Sequence, residues 1–140
     1  MKVRDVMTAD VYTCRPDDSI LQIAELMRDE DIGAVPVVED DRLIGMVTDR
    51  DIVVRGLADS KDPASATART VMTSTLLYCF DDQSVEDALY NMGEQQVRRL
   101  PVVDRDKRLV GVVSIGDLCA AAAPEQAGES LTQISQPTHH

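Results

Sequence analysis

One hundred and forty residues, 44% of them hydrophobic, fit one compact domain or two small packed halves and allow a real core. The net charge of −11 argues against duplex nucleic acid or an anionic membrane as the main partner, because both reward Lys and Arg. The opening Met1-Lys2-Val3-Arg4-Asp5 turns polar at once, no apolar run approaches the ~20 residues of a membrane span, and Cys14, Cys79 and Cys119 form no CxxC pair, so a cytoplasmic chain with reduced thiols and no membrane partner is expected.

Val6-Met7-Thr8 opens the chain, and Val11-Tyr12-Thr13-Cys14 is β-prone. Pro16-Asp17-Asp18 is turn chemistry, after which Ser19, with Gln22 three residues on, signals a helix start. Ile20, Ile23, Ala24 and Met27 fall at helical spacing and make one apolar face. Ala34 to Val38 is a buried-strand candidate in which Pro36 suggests an edge or a strand start. Glu39 to Arg42 is a hairpin turn, Leu43 to Val47 the return strand, and Thr48 caps a second helix through about Gly56. The order is β-α-β-β-α.

The order then starts over. Val71-Met72-Thr73 answers Val6-Met7-Thr8, Cys79 answers Cys14, Ser84 answers Ser19, and Pro101-Val102-Val103 answers Pro36-Val37-Val38, all at an offset of 65. The second hairpin turn is one residue longer, so Gly111 and Asp117 answer Gly45 and Asp51 at an offset of 66. An insertion confined to a turn is what a structural repeat tolerates best. The expected organisation is a first repeat over residues 1–58, a linker over 59–70, a second repeat over 71–122 and a flexible tail over 123–140, the tail being rich in Ser, Gln and Pro. Each half is too small to bury a sheet face comfortably alone, so an α/β (α+β) fold is expected, with two pseudo-symmetric repeats packed sheet to sheet. His139 and His140, the only histidines, end the tail.

Each repeat carries Gly-x-x-Thr/Ser-x-x-Asp at its second strand-to-helix junction: Gly45 with Thr48 and Asp51, then Gly111 with Ser114 and Asp117. On spacing alone this is a capping box, in which hydroxyl and carboxylate satisfy backbone N–H groups. Ligand binding is the alternative. Cys14 and Cys79 hold equivalent strand positions and read as small buried hydrophobes, with a redox sensor as the alternative.

The Asp-Val-Met-Thr opening, the Pro-Val-Val strand, the doubled Gly-x-x-Thr/Ser-x-x-Asp motif and the tandem copy together resemble the cystathionine-β-synthase (CBS) domain family, as a tandem pair or Bateman module. The resemblance covers roughly residues 1 to 122 and is closest to small stand-alone bacterial CBS pairs, where Thr-Asp-Arg-Asp-Ile also occurs. It implies an adenosine-containing regulatory ligand, AMP, ADP or ATP and otherwise NAD or S-adenosylmethionine, in a cleft between repeats, and no required cofactor. Asp51 and Asp117 would accept from ribose hydroxyls, and Thr48 and Ser114 would contact phosphate. A carboxylate has two acceptor oxygens to offer a diol, and charge-assisted bonds of this type contribute about 1.5–3 kcal/mol each. Arg98 and Arg99 would reach across to the phosphate of the Thr48/Asp51 site, with Arg50 adding charge; their first-repeat equivalents are Gly33 and Ala34. By the same analogy the adenine would lie against Met46 with Leu77 and Tyr78 at one site, and against Val112 with Tyr12 and Thr13 at the other. For each of these, ordinary core or solvated surface is the alternative.

The implied function is a regulatory adenine-nucleotide sensor acting in trans on an unknown effector protein, as a homodimer. One alternative is a structural dimerisation module without a ligand. The other is an enzyme, against which stand the absence from repeats 1 and 2 of histidine, of a Gly-rich phosphate loop and of a metal-ligand cluster.

Overall fold

The computed structural model describes residues 1–74 and 76–136. The chain divides into two compact units, one spanning Tyr12–Leu76 and the other combining Met1–Val11 with Leu77–His140. We call these the first and second units. Both are mixed α/β, with one small sheet each.

In the first unit, α1 (Ile20–Glu30) starts from a closed capping box: Ser19 Oγ accepts the Gln22 N–H at 3.1 Å, and Gln22 Oε1 accepts the Ser19 N–H at 2.9 Å. Ile20, Ile23 and Met27 are the buried stripe, and Asp31 ends the helix in the left-handed conformation. β1 (Ala34–Glu39) and β2 (Arg42–Thr48) form an antiparallel hairpin. Its turn residues Asp40 and Asp41 both have positive φ, 53° and 66°, the geometry of a tight two-residue hairpin. The expected strand at Val11–Cys14 shrinks to a single parallel bridge, in which Cys14 accepts the Val38 N–H and donates to Pro36 O.

Two expectations need correction here. The helix capped by Thr48 is α only over α2 (Asp49–Asp51); it widens into a π-helical segment over Ile52–Leu57. β-branched Ile52, Val53 and Val54 followed by Gly56 form a run of low α propensity, and Gly56 lies so close to Ile20 Cδ1 that an added Cβ would sit 2.9 Å from it. The expected linker, residues 59–70, is folded at its end. α3 (Ala68–Val71) has Ala68 and Val71 fully buried, and the Ala68 N–H donates to Asp18 O at 2.8 Å.

In the second unit, β3 (Cys79–Phe80) pairs parallel with β4 (Arg99–Val103), which pairs antiparallel with β5 (Leu109–Ser114). α4 (Val85–Gln95) is capped by Ser84, whose hydroxyl accepts the Asp87 N–H at 3.1 Å, and α5 (Ile115–Ala121) follows β5. The expected flexible tail is instead α6 (Pro124–Ser135), packed on α4. Proline at its first turn lacks only an N–H that would go unused. Ala127, Ser130 and Ile134 form its buried face, with Ser130 Oγ donating to Leu89 O at 3.1 Å and Gln126 Nε2 to Glu86 O at 2.8 Å. His139 and His140 lie outside the described residues.

The units are out of phase with the sequence repeats. Thr73 exchanges both backbone hydrogen bonds with Met46 beside β2, and Thr8 does the same with Val112 beside β5. Residues 1–11, the opening of the first repeat by sequence, thus complete the second sheet. The two motif glycines admit these strands. A Cβ on Gly45 would lie 2.5 Å from Met72 Sδ, and one on Gly111 would lie 2.7 Å from both Met7 Sδ and Thr8 O. Val3 is fully buried in the second core beside Cys79, Val85 and Leu89.

Candidate functional site

The two Gly-x-x-Thr/Ser-x-x-Asp corners sit where β2 enters α2 and where β5 enters α5. Thr48 and Ser114 both have extended backbone, φ −107° and −103°, as residues just ahead of a helix should. In the first corner Thr48 Oγ1 accepts the Asp51 N–H at 3.1 Å, and Asp51 Oδ2 accepts the Thr48 N–H at 3.0 Å. In the second, Ser114 Oγ accepts the Asp117 N–H and Asp117 Oδ2 the Ser114 N–H, both at 3.1 Å. The capping reading is therefore correct at both places. It uses one oxygen of each carboxylate. Oδ1 of Asp51 and of Asp117 accepts no hydrogen bond among the described residues.

The corners differ in charge. Asp51 is only 9% exposed, and its Oδ1 lies 3.9 Å from Arg55 Nε. Arg55 Nη1 also donates to Met72 O at 3.3 Å. Neither Arg55 nor Asp49 was singled out from the sequence; the signal for Arg55 was its position four residues after Asp51. Asp49 places a second carboxylate at this corner, where its Oδ1 accepts the Arg50 N–H at 2.8 Å. At the second corner the matching positions are Ile115 and Ala121, and α5 contains no cation.

Met46 and Val112 are half-buried, each two residues before its corner hydroxyl. Arg50, Arg98, Arg99 and Thr13 are exposed. Arg98 and Arg99 belong to the second unit, and Arg98 O accepts the Ile115 N–H at 2.8 Å, as Gly33 O accepts that of Asp49 at 2.9 Å. The equivalence of Arg98 and Gly33 deduced from spacing thus holds in the hydrogen bonding. Tyr12 is 49% exposed, and Glu30 raises its phenol pKa, first by hydrogen bonding and then by charge. Leu77 is exposed, and Tyr78 meets Phe80 edge to face with centroids 5.6 Å apart. Cys14 and Cys79 are buried, and that burial pushes each thiol up to about 12, with Asp18 contributing at Cys14. Among the described residues no cluster of His, Cys, Asp and Glu is arranged to hold a metal ion, and no helix is long and apolar enough to cross a membrane.

The family pattern for the CBS domain matches residues 3–57 and again 68–124, so it covers both repeats and most of the chain. The chain belongs to the CBS domain family. YhcV, a CBS domain-containing protein of Bacillus subtilis (strain 168), is 42% identical over 139 residues, covering 99% of this chain and 98% of its own. Among solved structures, Hypoxic Response Protein I with two coordinated zinc ions superposes with a TM-score of 0.78 at 41% identity, over 87% of this chain and 99% of its own. CBSX2, crystallised in complex with AMP, superposes with a TM-score of 0.74 at 30% identity, over 86% of this chain and 94% of its own.

Proposed function

We propose that this CBS pair is a regulatory module that binds an adenosine nucleotide and acts in trans on a partner protein, as a homodimer and without catalysing a reaction. One observation carries the reading: each corner keeps a hydroxyl and a carboxylate in one capping box that leaves one carboxylate oxygen without a hydrogen bond. That oxygen can accept from a ribose hydroxyl without undoing the cap. CBSX2, a relative of the same fold, holds AMP, which supports an adenosine ligand here. Arg98, Arg99 and Arg50 are proposed for the phosphate, and Met46, Val112, Leu77, Tyr78, Tyr12 and Thr13 for the base.

A thermal-shift panel with AMP, ADP, ATP, NAD and S-adenosylmethionine tests the proposal, because a ligand at 100 times its dissociation constant adds about 2.7 kcal/mol. AMP, ADP or ATP is expected to give the largest shift. No shift with any of them would leave a purely structural module, and turnover of a nucleotide would make the protein an enzyme. The Thr48/Asp51 corner is proposed as the tighter site for a phosphorylated ligand. Asp51→Ala should therefore cost more AMP affinity than Asp117→Ala, and equal losses would refute that ranking.

A further inference from the structure

We infer that Arg55 determines the ligand specificity of the Thr48/Asp51 corner, selecting a phosphorylated adenosine over the neutral nucleoside. The inference rests on the reading of that corner as an adenosine site and adds the residue that sets its charge preference. The corner holds two carboxylates, Asp49 and Asp51, in a chain whose net charge is −11. A phosphate brought beside them meets repulsion unless a cation is fixed there first. Arg55 stands there. Its half-exposed side chain donates from Nη1 to Met72 O at 3.3 Å and places Nε 3.9 Å from Asp51 Oδ1.

The backbone is adapted to this placement. The π-helical widening begins at Ile52, directly after Asp51, and Arg55 lies within it. Such widenings recur at functional sites. The second repeat makes the same corner with an ordinary α5 and Ala121 where Arg55 would be, so the fold requires neither the widening nor the cation. A guanidinium carries five donors, and the two contacts named leave others for a phosphate oxygen. Asp51 is held by its own capping box, so the role of Arg55 toward the ligand is selection by charge.

The test compares AMP with adenosine by isothermal titration on the full chain, at two salt concentrations. Arg55→Gln should weaken AMP about tenfold, while adenosine stays within about twofold, because a half-exposed cation acts on the phosphate and not on the sugar. The salt dependence of AMP binding should become shallower, and Arg55→Lys should restore part of the loss. Ala121→Arg, which leaves the first unit untouched, should raise AMP affinity at the second corner. Equal losses of AMP and adenosine in Arg55→Gln, or an unchanged AMP-to-adenosine ratio, would overturn this inference and leave the nucleotide reading standing. Binding of neither ligand by the unaltered protein would overturn both.

Discussion

Asp51 and Thr48 each hold the other's backbone N–H, at 3.0 and 3.1 Å, and the carboxylate does so with Oδ2 alone. One residue therefore has a capping oxygen and a second one that accepts no hydrogen bond and stands 3.9 Å from Arg55 Nε. The two roles can be separated by substitution. We predict that Asp51→Asn, which retains an acceptor for the Thr48 N–H, keeps most of the stability but loses AMP affinity. Asp51→Ala should lose both, with about 1 kcal/mol of stability gone. Urea midpoints and titrations on the two variants measure this. Urea midpoints equal to that of the unaltered protein in both variants would mean that the cap contributes nothing.

Gly45 and Gly111 hold the same motif position, yet they should not tolerate a methyl group equally. A Cβ on Gly45 is met only by side-chain atoms of Met72, closest at Sδ and more loosely at Cγ and Cβ, and the sulfur can swing away. A Cβ on Gly111 also meets Thr8 O, a backbone atom pinned by its hydrogen bond to the Val112 N–H. We predict that Gly111→Ala costs about 2 kcal/mol and Gly45→Ala clearly less. Denaturation of the two single variants decides it, and the reverse order would show that the Thr8 strand is the more yielding one.

The buried thiols of Cys14 and Cys79 give a pH dependence of definite sign. Their folded pKa values, about 12, lie above the free-thiol value near 8.5, so the unfolded chain ionises first as pH rises. Their stabilising contribution is whole below about pH 8.5 and is lost progressively from there toward about 12. The decline in urea midpoint above pH 9 should be shallower in a Cys14→Ala/Cys79→Ala double variant. Alkylation of native protein at neutral pH should label the half-buried Cys119 first. Rapid labelling of Cys14 or Cys79 would favour the redox-sensor alternative.

Ile134, 9% exposed, shares the second core with Leu89 and Met92. Ile134→Ala should lower stability by about 2 kcal/mol, the low end for such a truncation. A solvated tail would show no change, so an unaltered urea midpoint would detach α6 from the core.

The doubled motif, both corner capping boxes, α1 and the Asp40-Asp41 turn were legible because each depends on neighbours in sequence. Thr48 and Asp51 announce their bond by spacing alone. α6 was not legible: its buried face is Ala127, Ser130 and Ile134, too sparse in large apolar residues to register as a stripe, and Gln126 and Ser130 add hydrogen bonds to α4 carbonyls that no local pattern announces. The placement of Met1–Val11 was hidden for a different reason. An offset shows that Met7 corresponds to Met72, but not which sheet either one joins. Arg55 was missed because its value depends on helix rotation, and the switch from α to π winding is a packing outcome that no short window of residues encodes.

The position of Thr8 beside Val112 also governs how the protein is made. Residues 1–11 are synthesised before their docking edge, and at about 5–20 residues per second they wait roughly 5–20 seconds for it. Meanwhile the stretch from Tyr12 to Leu76 can finish folding around its own Thr73. Throughout that delay Thr8 lacks the Val112 backbone groups that it bonds in the folded unit.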